Sequence, residues 1–217
     1  MSRATPVTAA TPSPAPDAAP VSRVVAPLWR PVPVHAPCVV WMTGLSGAGK
    51  STLAAHLEAA LDHLGCQTAR LDGDDLRGGL CADLGFSDAD RTENIRRVAH
   101  VAALMARSRL LVLVTLVSPF QAARDHARRL LPDGQFLEVF VDAPLDVVQQ
   151  RDTKGLYARA RRGEALQLTG VQSPYEAPQR PDVHVRTDLC SPEAACDRIV
   201  GTLVARGVVS RHALRDA

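Results

Sequence analysis

The stretch Val39-Val40-Trp41-Met42-Thr43-Gly44-Leu45-Ser46-Gly47-Ala48-Gly49-Lys50-Ser51-Thr52 passes from an apolar run through a glycine-rich turn into a helical pattern. Gly44, Gly49, Lys50 and Ser51 match G-x-x-x-x-G-K-[ST]. Glycines allow the backbone to curl so that successive N–H groups point at phosphate oxygens, and the helix that follows adds the positive end of its dipole. The stretch therefore predicts a phosphate-binding loop between a strand and a helix.

Two residues of this loop have side chains that suit different parts of a nucleotide–Mg²⁺ complex. Lys50 can reach the terminal phosphates, and the Ser51 hydroxyl is a ligand for Mg²⁺. We predict nucleotide binding by the whole loop, namely Gly44, Leu45, Ser46, Gly47, Ala48, Gly49, Lys50, Ser51 and Thr52.

The composition restricts the class of protein. The 217 residues suffice for one domain with a sizeable core. Lysine and arginine total 25 against 23 acidic residues, which argues against nucleic acid or a membrane surface as the main partner. Five scattered cysteines without a C-x-x-C pair are typical of free thiols in a reducing compartment, and no apolar run reaches membrane-spanning length. We therefore expect a cytoplasmic, non-membrane protein.

The N-terminal region differs in composition from the rest of the chain. Residues 1–36 contain eight of the 16 prolines and one acidic residue, Asp17. Such a segment buries too little apolar surface to offset its ordering entropy. We predict a disordered Pro/Ala-rich tail over residues 1–36 and a single domain over residues 37–217.

Beyond the tail, strand and helix patterns alternate. Predicted strands cover residues 38–43, 67–71, 110–117, 136–142 and 183–186, and predicted helices cover about 53–64, 88–107, 120–131, a short stretch after Pro144, and 192–206. Residues 152–177 form a basic stretch without periodicity. The alternation predicts an α/β fold in three layers: a mostly parallel five-stranded sheet with helices on both faces.

Ligands of such sheets bind at the carboxyl ends of the strands, where this chain has Asp72, Asp74, Ser118 and Asp142. Motor ATPases and GTPases place a Mg²⁺ carboxylate after an apolar strand, but here the most apolar strand ends at Val117-Ser118-Pro119. A carboxylate facing an acceptor hydroxyl beside the phosphate loop is instead typical of a small-molecule kinase. We predict that Asp74 orients or deprotonates that hydroxyl and that Asp72 holds Mg²⁺ through water; the alternative for each is an Asx turn or helix cap.

Seven separated blocks give the sequence a family resemblance. They are Gly44–Thr52, Leu71-Asp72-Gly73-Asp74, Asp83-Leu84-Gly85-Phe86-Ser87, Arg91 with Glu93-Asn94-Ile95-Arg96-Arg97-Val98, Ser118-Pro119, Lys154-Gly155-Leu156-Tyr157, and Thr169-Gly170 with Ser173-Pro174-Tyr175-Glu176. From about residue 37 to the C-terminus, the chain resembles the adenylylsulfate kinases (APS kinases), which are P-loop kinases. The resemblance implies that the protein transfers the γ-phosphate of ATP, with Mg²⁺, to the 3′-hydroxyl of adenosine 5′-phosphosulfate.

The resemblance also implies roles for individual residues. Asp74 would face the acceptor hydroxyl, and Phe86 would stack on the acceptor adenine. Residues 152–177 correspond to the family's lid. Other acceptor-binding residues would be Arg77, Arg91, Asn94, Val117, Ser118, Lys154 and Leu168, and Arg161 would approach ATP. Ser118 matches the family's phosphoserine position, but in-line transfer between two bound substrates requires no covalent step, so we expect it to line the pocket.

Three departures from the family pattern leave the acceptor open. Asp75 replaces an asparagine, Gln121 replaces an arginine, and Leu168 replaces a phenylalanine. The alternatives are a same-fold kinase acting on a related nucleotide-linked acceptor and a weakly active nucleotide-binding partner of a sulfurylase or reductase. The resemblance further implies a homodimer that associates with ATP sulfurylase.

Overall fold

A computed structural model describes residues 35–164 and 167–210 of the chain. The predicted tail lies outside the described residues except for its last two positions. In chain order, the elements are β1 (Cys38–Thr43), α1 (Lys50–His63), β2 (Thr68–Asp72), α2 (Gly73–Arg77), α3 (Asp88–Arg107), β3 (Leu111–Thr115), α4 (Gln121–Arg129), β4 (Phe136–Asp142), α5 (Leu145–Arg151), α6 (Leu156–Arg161), β5 (Val183–Arg186) and α7 (Pro192–Ala205).

The strands form one five-stranded sheet in the order β2-β3-β1-β4-β5. Every pairing is parallel: β1 pairs with β3 and with β4, β2 with β3, and β4 with β5. Each residue of β1 and of β3 is buried, as expected for central strands covered on both faces. The predicted α/β fold with a parallel five-stranded sheet is confirmed.

Two apolar cores flank the sheet. On one face, α1 and α7 pack against one side of β1, with the stripe Leu53, Leu57 and Leu61 of α1 inward. On the other face, α3 and α4 cover the opposite side of β1, including Trp41, which stacks on Phe136 with ring centroids 5.8 Å apart. The three-layer arrangement brings the loops that follow the strands to one edge of the sheet, where the phosphate loop lies.

Two short helices were not predicted. The chain turns into α2 directly after β2, with Asp72 as its N-cap, and α6 interrupts the basic stretch 152–177. The predicted strand 110–117 is shorter, ending at Thr115 as β3. Among the described residues, none of the helices has both the length and the apolar character that a membrane span requires.

Candidate active site

One cavity of about 1100 Å³ opens at the carboxyl edge of the sheet. Its walls are the phosphate loop and α1, the end of β2 with α2, the turn after β3, one face of α3, the end of α5, the lid, and the segment from the end of β5 into α7. The sequence-predicted residues on its walls are Ser46, Gly47, Gly49, Lys50, Ser51, Thr52, Asp72, Asp74, Arg77, Phe86, Arg91, Asn94, Val117, Ser118, Lys154 and Leu168. Gly44, Leu45, Ala48 and Arg161 do not line it.

The phosphate loop depends on its glycines. Gly44, Gly47 and Gly49 have φ angles of 152°, 79° and 97°. A Cβ atom on Gly44 would lie 2.1 Å from the carbonyl oxygen of Val141, so any side chain there would displace the backbone. Gly49 is also the N-cap of α1, which points the first N–H groups of that helix toward the cavity.

Lys50 is folded back onto its own loop. Its Nζ donates hydrogen bonds to the carbonyl oxygens of Gly44 at 2.9 Å and Leu45 at 2.8 Å. Burial lowers the pKa of Lys50 to about 8, and the nearby Lys154 ammonium acts in the same direction. The Lys50 charge is therefore poorly solvated and available to anionic phosphate oxygens.

Asp72 accepts hydrogen bonds from three different segments. The hydroxyls of Ser51 and Thr115 each donate to its Oδ2 at 2.7 Å, and the Asp74 N–H donates to its Oδ1 at 3.0 Å. Burial raises the pKa of this carboxyl, but the hydrogen bonds outweigh that effect and the pKa is lowered. Asp72 is thus both the cap of α2 and a fixed carboxylate beside the loop serine.

Asp74 projects from α2 with its side chain 67% exposed, and Lys154 of the lid donates a hydrogen bond to its Oδ2. Both residues line the cavity together with Lys50. A carboxylate therefore lies beside the phosphate loop, as the position at the end of the second strand predicted.

Phe86 lies among cationic groups that also line the cavity. The guanidinium of Arg77 is 4.3 Å from the centre of its ring, and that of Arg91 is 5.8 Å away. Arg77 also donates to the carbonyl of Gly85 at 2.9 Å, and Arg91 to the carbonyl of Phe86 at 2.9 Å. Phe86 remains 52% exposed, so the part of its ring that Arg77 does not cover can stack on a planar ligand.

Arg91 and Asn94 share one face of α3, as their spacing predicted. Arg91 is largely buried and also donates to the carbonyl of Gln167 in the lid. Burial lowers the pKa of Arg91, and the nearby Arg77 lowers it further. The buried Nδ2 of Asn94 has no hydrogen-bond partner within the described part of the chain, although this residue lines the cavity. Buried amides are normally satisfied by protein groups, water or a ligand, so this donor is open to a partner from the cavity.

Ser118 adjoins the cavity but is 2% exposed. Its hydroxyl accepts a hydrogen bond from Trp41 Nε1 at 3.0 Å, and its φ angle of 45° lies in the left-handed region. Its carbonyl accepts hydrogen bonds from Thr43 and Arg124. The hydroxyl is thus held by a buried indole and faces away from solvent.

The comparisons with known proteins show the family of the chain. The sequence profile of adenylylsulphate kinase matches residues 36–186. The chain is 49% identical over 175 residues to an adenylyl-sulfate kinase of Acaryochloris marina, covering 81% of this chain and 85% of that protein. The chain belongs to the adenylylsulphate kinase family.

A solved structure extends the likeness to three dimensions. The APS kinase CysC of Mycobacterium tuberculosis, determined in complex with AMPPNP and APS, has a TM-score of 0.74 and 46% sequence identity, covering 79% of this chain and 99% of that one. The bifunctional enzyme NodQ of Azospirillum brasilense is 54% identical over 172 residues, covering 79% of this chain, but these residues span only 28% of its length.

The three departures from the adenylylsulphate kinase pattern lie in different places. Leu168 is buried on the cavity wall. Asp75 and Gln121, which we expected beside the acceptor, do not line the cavity. Asp75 occurs in the first turn of α2, and Gln121 bonds to Asp125 and Arg124 within α4. Only one of the three substitutions therefore changes the pocket.

Two further residues that line the cavity, Arg151 and Thr187, were not predicted from the sequence. Arg151 donates to the hydroxyl of Thr187 at 2.9 Å and to its carbonyl at 2.8 Å. Thr187 in turn donates to the carbonyl of Ala48 at 2.9 Å. This pair braces the phosphate loop from the end of β5. The only sequence signal was the position of Thr187 directly after the last strand.

Proposed function

We propose that this protein is an adenylylsulfate kinase, which transfers the γ-phosphate of ATP to the 3′-hydroxyl of adenosine 5′-phosphosulfate. The single observation that carries the proposal is the position of Asp74. This carboxylate and Lys50 line the same cavity as an aromatic ring, two arginines and an amide that has no partner among the described residues. A phosphate donor and a nucleotide acceptor would therefore meet across Asp74.

The phosphate loop and Lys50 would bind the donor. Backbone N–H groups at the start of α1 and the Lys50 ammonium complement the negative charge on ATP and on the transferring phosphoryl group. Arg151 and Thr187 support the same loop. Arg161, which the family resemblance assigns to ATP, does not line the cavity, so no contact in the structure supports its role.

The donor set beside the loop fits Mg²⁺. Ser51 and Asp72 supply a hydroxyl and a carboxylate whose oxygens are 2.7 Å apart. The described residues contain no group of three or more His, Cys, Asp or Glu side chains suited to a metal. Mg²⁺ needs no such cage, because one or two protein oxygens, water and substrate phosphates complete its coordination. When bound, it would neutralise charge on the phosphates.

The acceptor would occupy the wall formed by Phe86, Arg77, Arg91 and Asn94. Forked guanidinium donors suit a phosphosulfate, and an exposed ring beside them suits an adenine. Asp74 would accept the proton of the attacking hydroxyl or orient it for in-line attack. The buried Ser118 hydroxyl has no part in a covalent step in this scheme.

The lid would exclude water during transfer. Lys154 and Leu168 line the cavity from the lid, and Tyr157 anchors its first helix by donating to the carbonyl of Ser46 at 2.9 Å. Closure over the phosphates limits hydrolysis of ATP. Residues 165 and 166 of the lid lie outside the described residues.

The cellular setting is part of the same proposal. All five cysteines are free thiols, which supports a reducing compartment such as the cytoplasm. In the bifunctional enzyme NodQ, a region similar to this chain is one part of a longer protein. This supports association of the kinase with a second enzyme, for which we propose ATP sulfurylase. We also propose that the kinase itself is a homodimer.

A turnover assay with an acceptor panel tests the proposed function. The purified chain is supplied with ATP, Mg²⁺ and either adenylyl sulfate, adenosine 5′-monophosphate or guanosine 5′-monophosphate, and ADP and phosphorylated acceptor are quantified. We expect rapid turnover of adenylyl sulfate only. Turnover of a different acceptor would favour a related kinase, for which Leu168 is the supporting observation. ATP binding without turnover of any acceptor would favour a nucleotide-binding partner.

A further inference from the structure

Arg124 carries a buried charge that the transfer site does not use. Its side chain is 1% exposed and does not line the cavity. Nε donates to Glu138 at 2.8 Å, Nη1 to the carbonyl of Ser118 at 2.7 Å, and Nη2 to the side chain of Gln121 at 2.7 Å and the carbonyl of Glu176 at 2.8 Å. One guanidinium thus joins β4, the turn after β3, and the C-terminal end of the lid.

The Ser118 turn is strained and needs such support. A non-glycine residue in the left-handed region persists only where its surroundings hold it. Ser118 is held at its hydroxyl by Trp41 and at its carbonyl by Arg124 and Thr43. Because Ser118 lines the cavity, at the part that we assign to the acceptor, these contacts set the shape of that wall.

Glu176 fastens the end of the lid to the same turn. Its N–H donates to the carbonyl of Pro119 at 2.8 Å, and its Oε2 accepts from the N–H of Gln121 at 2.6 Å. Gln121 begins α4, and the N-cap residue Phe120 supplies no side-chain cap. The Glu176 carboxylate therefore fills the helix terminus, where negative charge is stabilised.

We propose that Arg124 and Glu176, acting on Ser118 and Gln121, form a lid-base clasp that holds the returning end of the lid against the acceptor wall. Both are positioning residues, since neither lines the cavity. A buried ion pair such as Arg124–Glu138 is weak evidence for stability, whereas a guanidinium that bonds three separate segments defines their relative position.

The clasp acts on one substrate more than on the other. The first part of the lid is tied to the phosphate loop by Tyr157, independently of Glu176. The second part bears Gln167, whose carbonyl accepts from Arg91, and Leu168 on the cavity wall. Loosening the clasp therefore frees the acceptor side while the ATP side stays held.

Glu176 provides the first test because its side chain is exposed and its loss should not unfold the protein. We expect Glu176→Ala to raise the KM for the acceptor by about tenfold, the effect of losing one charge-assisted hydrogen bond, with the KM for ATP unchanged. Glu176→Gln keeps an acceptor oxygen and should recover most of this loss. Trypsin should cleave Glu176→Ala faster within residues 152–177.

Arg124→Lys provides the second test, with Arg128→Lys as its control. Arg128 is on the same helix and approaches the other oxygen of Glu138 at 3.5 Å, but bonds to neither Ser118 nor Glu176. We expect Arg124→Lys, and not Arg128→Lys, to raise the acceptor KM. It should also shift the emission of Trp41 in a Trp29→Phe background, because Trp41 bonds to the Ser118 hydroxyl.

The inference rests on the proposed function for its kinetic arm only. If adenylyl sulfate is not a substrate, the proteolysis and fluorescence arms still decide it. Equal changes in the KM for the acceptor and the KM for ATP would overturn the clasp. Unchanged proteolysis of Glu176→Ala together with unchanged Trp41 emission in Arg124→Lys would also overturn it.

Discussion

The ammonium of Lys154 in the lid is paired with the carboxylate of Asp74 at the start of α2, 80 residues earlier in the chain. The pair joins the lid to the residue that we propose as the acid–base group. In the proposed kinase, an acceptor hydroxyl would reach Asp74 beside Lys154. The lysine would then contact the reacting groups only when the lid lies over both substrates.

Removing the Lys154 ammonium should remove the contact between the lid and the groups that take part in phosphoryl transfer. We expect Lys154→Met to lower kcat by about tenfold, the effect of losing one charged contact to the reacting groups, while ATP affinity is retained. Steady-state rates and nucleotide titration measure the two effects. Arg162→Met is the matched control, since Arg162 is in the lid but pairs with Glu164 and does not line the cavity. Equal losses in the two variants would contradict a specific role for Lys154.

The pKa of Lys50 predicts how ATP binding depends on pH. Because burial lowers this pKa to about 8, the ammonium loses its proton as pH rises through about 8, and its attraction for phosphates is lost with it. The affinity of the free protein for ATP should therefore fall above pH 8. In Lys50→Arg the charge persists in alkali, so any remaining affinity should be independent of pH. A flat profile in the unmodified protein would refute this role.

Asn94 allows binding and stability to be separated. Its amide is buried and unpartnered in the described structure, so Asn94→Ala removes an unsatisfied donor and should cost little stability. The acceptor KM should nevertheless rise by about tenfold if the amide bonds to the acceptor. Thermal unfolding and steady-state kinetics measure the two quantities. A large loss of stability with unchanged KM would assign the residue to the core.

Leu168 tests the aliphatic side of the acceptor pocket. Leu168→Phe places a second ring on the cavity that Phe86 lines, and an aromatic contact is worth about 0.5–1.5 kcal/mol beyond area burial. We expect a several-fold lower KM for adenylyl sulfate. Leu189→Phe, at a 74% exposed position outside the cavity, should change nothing. A raised KM in Leu168→Phe would show that the buried site has no room for a ring.

The sequence predicted the parts of the fold that repeat a pattern. The strands before the phosphate loop and after it were visible as apolar runs, and the long helix α3 as a capped stripe; the parallel sheet followed from their alternation. The helices α2 and α6 were missed because they contain five and six residues, too few for a helical period to emerge.

Contacts between distant segments were beyond prediction. Asp72 and Asp74 were identified by their place after a strand, since strand ends converge in this class of sheet. The bond from Arg124 to Glu176 spans 52 positions. Neither residue comes directly after a strand, and neither belongs to a periodic apolar stripe, so no pattern in the sequence pointed to this contact. Gln121 and Asp75 were expected near the acceptor from the family pattern alone; they lie in α4 and α2, and neither lines the cavity.

The most direct measurement compares the unmodified protein with Asp74→Asn at saturating ATP, Mg²⁺ and adenylyl sulfate. The account predicts that the unmodified protein forms ADP and 3′-phosphoadenylyl sulfate in equal amounts. Asp74→Asn should bind ATP normally but turn over at least about 100-fold more slowly, as expected on losing a positioned acid–base group. A near-normal rate in Asp74→Asn, or ADP formation without phosphorylated acceptor in the unmodified protein, would contradict it.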